Sequence, residues 1–307
     1  MKIMRKLAAA LLFVLLFPYI VTMAWTGTVE GQNGTAGALS GRRVLLDRGE
    51  TSAYMDLEEY LAGVLAVQIP ADYGEETLKA QAIIARTYIC SRMGEEKEIP
   101  ESALDLDYLE GKQLARLWGE SAAENYQKLK AAAEATRGLV ITWEGELIEP
   151  LFCRASAGKT RSGGEGYPYL EPAESPEDLE AESYLQAVTF SKEEFAERIR
   201  SIPGAGEVTA EELPGAIQIL ETDGAGYVRR VQIGTKAYTG EEVQYALGLV
   251  SPCFSFEEYD GGLRAVTKGI GHGYGFSQYG ANRRAGEGWT AEELLGYFYK
   301  NIVLTSV

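Results

Sequence analysis

Histidine and cysteine are scarce in this chain. Its 307 residues include one histidine, His272, and three cysteines, Cys90, Cys153 and Cys253. A single histidine excludes a histidine-rich zinc centre, and a site built from all four residues is not predicted because no two of them are close in sequence. An odd number of cysteines does not indicate a disulfide framework, although one pair could bridge outside the cell. We therefore predict no metal and no other cofactor.

Basic residues are also in deficit. The chain carries 29 lysines and arginines against 45 aspartates and glutamates, a formal net charge of −16. Nucleic-acid binding depends on cationic side chains, so no nucleic-acid partner is expected. The hydrophobic fraction of 46% and the charged fraction of 24% are typical of a folded globular protein.

Charged residues are absent from positions 7–25, directly after Lys2, Arg5 and Lys6. An apolar run of this length behind a basic flank predicts a single-pass membrane helix that leaves the rest of the chain outside the cytoplasm. A cleaved signal peptide, with a weak site at positions 22–24, is the alternative. Residues 1–25 are thus assigned to an anchor or signal, residues 26–41 to a flexible linker, and residues 42–307 to one folded domain.

Helical periodicity and strand alternation occur in no regular order after position 42. Apolar spacing predicts helices at 56–67 and 75–93, and a helix at 113–136 that breaks near Gly119. A hairpin is expected from 139–143 and 147–155, with a long loop at 158–183. Further strands are expected at 185–190, 216–222, 227–233, 254–259 and 263–267, with helices at 192–199 and 241–247. This mixture indicates the α+β class.

The segment 269–281 is unusually rich in glycine, with five glycines in thirteen residues. Glycine lets the backbone adopt positive φ or approach a ligand closely. Between the glycines stand His272, Ser277, Gln278 and Tyr279, whose hydrogen-bonding groups suit a sugar. The alternative is a tight turn from a strand into a helix with Ser277 as the N-cap residue.

Four segments resemble the stage II sporulation protein D family, which is related to amidase-enhancer proteins. They are residues 57–70, residues 76–88, the stretch from Trp118-Gly119 through 136–138 to 155–160, and the glycine-rich segment 269–281. The resemblance implies an outward-facing protein of spore-forming bacteria that acts on peptidoglycan during engulfment. It also implies lytic transglycosylase activity on the glycan strands.

That chemistry needs one carboxylic acid, which protonates the glycosidic oxygen and then takes the proton of the 6-hydroxyl as the anhydro ring closes. The resemblance places this acid two residues before Pro70, where this chain has Gln68. An amide can donate a hydrogen bond but cannot deliver a proton. Arg86 matches the arginine that lies near the acid in the family, so Gln68 and Arg86 are the catalytic candidates. Their alternatives are a polar helix end for Gln68 and a salt bridge for Arg86.

A larger set of residues is assigned to glycan binding, and we expect Gln68, Arg86, Ser156 and His272 to surround one groove. The members of this set are Lys79, Gln81, Ser156, Gly158, Thr160, Tyr169, His272, Ser277, Gln278 and Tyr279. Relatives that carry a cysteine- and histidine-bearing zinc loop differ from this chain, whose residues 95–116 contain neither type.

Three hypotheses follow. The first is an active lytic transglycosylase that uses a substitute carboxylate such as Asp72, Glu75 or Glu76. The second is a pseudoenzyme that binds glycan strands and recruits or stimulates another wall hydrolase, or membrane proteins of an engulfment complex. The third is a thiol enzyme that uses Cys153 or Cys253 with His272. The residue at position 68 discriminates between the first two.

Overall fold

Helices in the amino-terminal half pack on one another, and shorter helices cover sheets further along. The computed structural model describes residues 40–49 and 51–307. The helices are α1 (Leu57–Gln68), α2 (Glu75–Met93), α3 (Gly111–Trp118), α4 (Ala122–Ala135), α5 (Lys192–Arg200), α6 (Gly240–Leu247), α7 (Gln278–Gly286) and α8 (Ala291–Phe298).

The strands are short and mostly antiparallel. They are β1 (Arg43–Asp47), β2 (Ser52–Asp56), β3 (Glu98–Pro100), β4 (Leu139–Trp143), β5 (Glu146–Leu147), β6 (Phe152–Cys153), β7 (Leu185–Phe190), β8 (Ile217–Thr222), β9 (Val228–Ile233), β10 (Lys236–Tyr238), β11 (Phe254–Tyr259), β12 (Gly262–Lys268), β13 (Phe276–Ser277) and β14 (Val303–Ser306). They form small sheets in the orders β2-β1-β3, β14-β4-β5, β13-β6, β11-β12-β7 and β10-β9-β8. Mixed helices and antiparallel strands confirm the predicted α+β class.

Helix α2 is the central element because apolar residues surround it. Leu78, Ala82 and Ile89 pack in a cluster with α1 and α4, while Ile83 and Ile84 pack in a second cluster with β4 and α8. A helix that buries side chains all round belongs to a core, which explains why its polar residues Gln81, Arg86 and Thr87 are also buried.

A third hydrophobic cluster lies farther along the chain. It joins β7, α5, the β8–β10 sheet, α6 and the β11–β12 hairpin, with Phe195, Val231 and Leu263 at its centre. Loop 158–183 runs between this part and the helical part, as the glycine-rich segment does. Two 3₁₀ turns, Gly164–Gly166 and Pro176–Glu180, interrupt that loop.

The predicted second strand of the hairpin is wrong over most of its length. Only Glu146–Leu147 pairs with β4, whereas Phe152–Cys153 pairs in parallel with Phe276–Ser277. The break in the third predicted helix is confirmed, because Gly119 adopts φ +56° between α3 and α4.

The predicted membrane helix and linker at residues 1–41 lie almost entirely outside the described residues. Within residues 40–49 and 51–307, no helix is both long and apolar enough to cross a membrane.

Candidate functional site

Gln68 lies at the last position of α1 and belongs to a chain of hydrogen-bonded amides, here called the glutamine triad (Gln68, Gln81 and Gln278). The Gln278 side-chain nitrogen donates to the backbone oxygen of Gln68 over 2.8 Å and to Oε1 of Gln81 over 3.1 Å. The Gln81 side-chain nitrogen then donates to Oε1 of Gln68 over 3.0 Å. The first bond fixes the polarity of the other two, because a backbone carbonyl only accepts.

The triad determines what position 68 presents. Gln81 and Gln278 are buried, and Gln68 is partly exposed. Since Gln81 donates to it, the side-chain oxygen of Gln68 is occupied as an acceptor. Its amide nitrogen has no hydrogen bond within the described part of the chain. The protein therefore supplies a hydrogen-bond donor to the side-chain oxygen at position 68.

An open groove of about 480 Å³ begins two residues after Gln68, in the turn between α1 and α2. Tyr279, adjacent to Gln278, lies on the same groove. Its lining combines two tyrosines, apolar residues and three charged side chains: Pro70, Asp72, Tyr73, Arg154, Ala181, Glu182, Ser183, Ile270 and Tyr279. Aromatic and apolar surface with a few polar groups is typical of a small-ligand site.

A buried carboxylate, Asp178, joins the loop to the glycine-rich segment. It accepts hydrogen bonds from the backbone nitrogen and the hydroxyl of Ser156 over 2.8 and 2.5 Å, and from the Ser277 hydroxyl over 2.8 Å. Burial raises the pKa of Asp178, and these donors act in the opposite direction. Ser277 does occupy the N-cap position of α7, but its hydroxyl bonds Asp178 and not the helix.

Positive φ angles at the glycines are required by close packing. Gly273 (φ +80°) and Gly275 (φ +70°) leave no room for a side chain, since a Cβ would collide with the Tyr227 ring and with the Leu151 backbone oxygen. The predicted close approach therefore exists, but the protein itself fills the space at these two glycines.

Arg86, the second residue of the predicted catalytic pair, lies inside the protein. It is fully buried, and its guanidinium donates to both carboxylate oxygens of Glu58 over 2.9 and 2.6 Å. Further bonds reach the backbone oxygens of Ala133 and Leu139. The alternative role, a salt bridge, is confirmed, and the guanidinium clamps α1, α2 and the end of α4 together. It does not reach the groove surface.

Several residues assigned to glycan binding are also placed inside the protein. Gln81, Ser156, Thr160, Tyr169, Ser277 and Gln278 are buried. Each of them is hydrogen-bonded to other protein groups. Thr160 accepts from the Ala173 backbone, for example, and the Tyr169 hydroxyl bonds the Glu149 backbone. Tyr279 is the residue of the set that lines the groove.

The remaining members of the glycan-binding set are Lys79, Gly158 and His272. Lys79 forms ion pairs with Glu75 and Glu76, at 2.6 and 2.8 Å. The Gly158 backbone oxygen accepts from Ser175. His272 lies two residues beyond groove-lining Ile270, and in the described residues no hydrogen bond joins it to Gln68. Their predicted short separation stays a prediction.

Of the proposed substitute acids, only Asp72 lines the groove. Glu75 and Glu76 are engaged by Lys79, and Glu76 also accepts from the backbone nitrogen of Ala291 at the start of α8. The lysine bond and this backbone bond hold the pKa of Glu76 below its usual value.

The thiol hypothesis is contradicted by burial. All three cysteines are free and buried, so no pair is bridged. Burial raises the pKa of the Cys153 thiol far above its usual value and also raises that of Cys253, which disfavours the nucleophilic thiolate. His272 is largely enclosed, and burial beside Arg161 lowers its pKa to about 4. In the described residues no group of three His, Cys, Asp or Glu side chains could hold a metal ion.

Arg161, which is buried beside the glycine-rich segment, was not predicted from the sequence. It donates to Asp223 and to Glu241 over 2.6 Å each, and its guanidinium lies over the rings of Tyr227 and Tyr274. Its position directly after the matched segment 155–160 was the available signal. Arg161 ties loop 158–183 to the third hydrophobic cluster.

Comparison with known proteins identifies the family to which this chain belongs. The family model described as stage II sporulation protein matches residues 47–143. Stage II sporulation protein D of Bacillus amyloliquefaciens is 33% identical over 259 residues, which cover 80% of this chain and 73% of that protein. The protein of the same name from Bacillus subtilis (strain 168) is 33% identical over 257 residues, with the same coverage. The amidase enhancer of Bacillus subtilis is 25% identical over 301 residues, covering 80% of this chain and 40% of that protein. This chain belongs to the stage II sporulation protein D family.

Proposed function

We propose that this chain is a sporulation-associated cell-wall protein that binds peptidoglycan glycan strands in the groove beside Gln68 and does not itself cleave them efficiently. The glutamine triad carries the proposal. Its hydrogen bonds hold residue 68, the position of the acid in the family, near the groove. At that position an amide stands in place of the carboxyl group, so there is no proton to transfer.

The groove lining suits a sugar chain. Tyr73 and Tyr279 offer aromatic faces, while Asp72, Arg154 and Glu182 offer groups that hydrogen-bond to hydroxyls and acetamides. The free amide nitrogen of Gln68 can donate to an ether or carbonyl oxygen, both of which only accept. Family membership supports the same substrate class.

A sedimentation assay with purified peptidoglycan tests binding, and mass analysis of released anhydro-muropeptides tests cleavage. We expect the full-length protein to sediment with the wall material and to release few or no anhydro products. Tyr279→Ala should reduce binding, whereas Tyr245→Ala, at a residue that is 92% exposed on α6, serves as the matched control. Strong cleavage by the unaltered protein, lost in Asp72→Asn, would instead establish the active-enzyme alternative.

Similarity to an amidase enhancer supports a second role, the stimulation of another wall hydrolase by the glycan-bound protein. Adding the protein to a peptidoglycan amidase should then raise the rate of peptide release. Tyr279→Ala should diminish that effect if binding in the groove is required. An unchanged amidase rate with the unaltered protein would exclude stimulation of that enzyme.

The proposed location is outside the cytoplasm, with residues 7–25 as the membrane anchor. Protease added to intact cells from which the wall has been removed should digest residues 40–307 if this orientation is correct. Protection of the folded part until the membrane is lysed would contradict it.

A further inference from the structure

Arg154 is an arginine in the groove whose side chain is left without a protein partner. It is exposed and follows β6 directly. Within residues 40–49 and 51–307 its guanidinium forms no ion pair and no hydrogen bond, although the chain carries 45 acidic residues against 29 basic ones. By contrast, Arg86, Arg161 and Arg284 are buried and paired with carboxylates.

The backbone that carries Arg154 is held on both sides. Its carbonyl oxygen accepts from the backbone nitrogen of Tyr279 over 3.0 Å. Cys153 before it pairs with Ser277, and Ala155 after it exchanges backbone hydrogen bonds of 3.2 and 2.8 Å with Ile270. The guanidinium therefore extends from a well-held backbone into the groove, whose lining begins two residues after Gln68.

The surroundings limit which ligands fit. Asp72 and Glu182 line the same groove and repel a ligand that carries several negative charges. A single carboxylate on an otherwise uncharged chain avoids most of that repulsion. An arginine fork matches the two oxygens of a carboxylate, which a hydroxyl or an acetamide does not offer.

We propose that Arg154 is a subsite for a carboxylate of the bound glycan strand, an inference that rests on the proposed glycan-binding function. Two sources share this chemistry. The lactyl ether of each muramic acid ends in a carboxylate when it carries no peptide, and an attached peptide ends in a carboxylate of its own. The subsite separates muramic-acid strands from N-acetylglucosamine oligomers, which have the same linkage and no carboxylate.

Binding of the full-length protein, kept soluble in mild detergent, to length-matched oligosaccharides tests the subsite. The probes are peptide-free glycan strands, the same strands with the lactyl carboxylates capped as methyl amides, strands with peptides, and N-acetylglucosamine oligomers. We expect peptide-free strands to bind about 10- to 100-fold more tightly than the oligomers, the range for a charge-assisted pair. If only the strands with peptides bind tightly, the carboxylate that Arg154 binds is that of the peptide.

Arg154→Met should abolish this preference by weakening the binding of the strands far more than that of the oligomers, while Arg154→Lys should keep part of it. Arg230→Met, at an exposed arginine of β9, is the matched control. If the protein binds the oligomers and the strands equally, or if Arg154→Met keeps the preference, the subsite is refuted and glycan binding stands. If no oligosaccharide binds at all, the proposed function fails together with the subsite.

Discussion

Restoring the carboxylate at position 68 tests the central argument most directly. Gln68→Glu changes an amide into a carboxyl group of nearly the same shape, so the turn before Pro70 need not move. Gln81 already donates to the side-chain oxygen at this position over 3.0 Å, and Gln278 fixes Gln81. The new carboxylate therefore enters a site that supplies a donor and gains a charge-assisted hydrogen bond.

The size of the effect follows from the proton that is regained. A positioned general acid contributes about 10²–10⁴ in rate, so anhydro products should rise by that order over the unaltered protein. The Gln81 donor lowers the pKa of the restored acid and partial burial raises it. Arg86 adds little, because Glu58 already neutralises it. Cleavage should fall about tenfold per pH unit above the pKa, where the acid form is lost.

The assay measures anhydro ends by mass analysis from pH 4 to pH 8. Adding Gln81→Met to Gln68→Glu removes the donor, so the pKa of the acid should rise and the active range should extend to higher pH. A purely structural role for Gln81 would lower the activity without moving that profile. Binding of glycan with no gain from Gln68→Glu would show that the groove does not bring a glycosidic oxygen to position 68.

Other predictions concern stability and reactivity. Arg86→Met leaves the buried carboxylate of Glu58 uncompensated and should lower the free energy of unfolding by about 3–5 kcal/mol in urea titrations. Replacing both partners by apolar residues should cost less, and an equal or larger loss would contradict this reasoning. Burial beside Arg161 lowers the pKa of His272 from its ordinary value of 6.5 to about 4 in the folded protein. The unfolded chain therefore binds its proton first, and stability should fall by up to about 3 kcal/mol as pH drops from 6.5 to 4. His272→Asn should flatten that part of the curve, and an unchanged slope would refute the assignment. Cys153 should resist thiol reagents until the protein unfolds, and rapid labelling of the native state would revive the thiol hypothesis.

The helices could be predicted well because their information is local. The bounds predicted for α2 and β7 match the structure, since a repeating apolar stripe and a strand alternation are written in consecutive residues. β1 and β2 were missed because they are short and their alternation is weak. β6 was wrongly joined to a hairpin because its true partner, β13, lies more than a hundred residues away.

The sequence named candidate site residues, and the structure adds how they contact one another. Gln68, Gln81 and Gln278 were all candidate site residues. Only the fold shows that Gln81 and Gln278 are buried and donate hydrogen bonds to Gln68. The burial of Arg86 could not be predicted either, since its partner Glu58 lies in the first turn of a different helix. Arg154 could not be predicted as a site residue because a single arginine carries no sequence signal. Its lack of a partner in the groove is visible only in the structure.

The pairing of β6 with β13 has a consequence for the order of assembly during synthesis. Residues 47–143, which match the family model, hold Gln68 and Gln81, but Gln278 and Ser277 are made more than a hundred residues later. A nascent chain that has reached residue 250 already contains Gln68 and its donor Gln81, but it lacks Gln278, which holds Gln81, and the groove-lining residues Ile270 and Tyr279. A chain stopped there by a nonsense codon therefore has an incomplete groove, and the proposed glycan binding requires translation of the last segments.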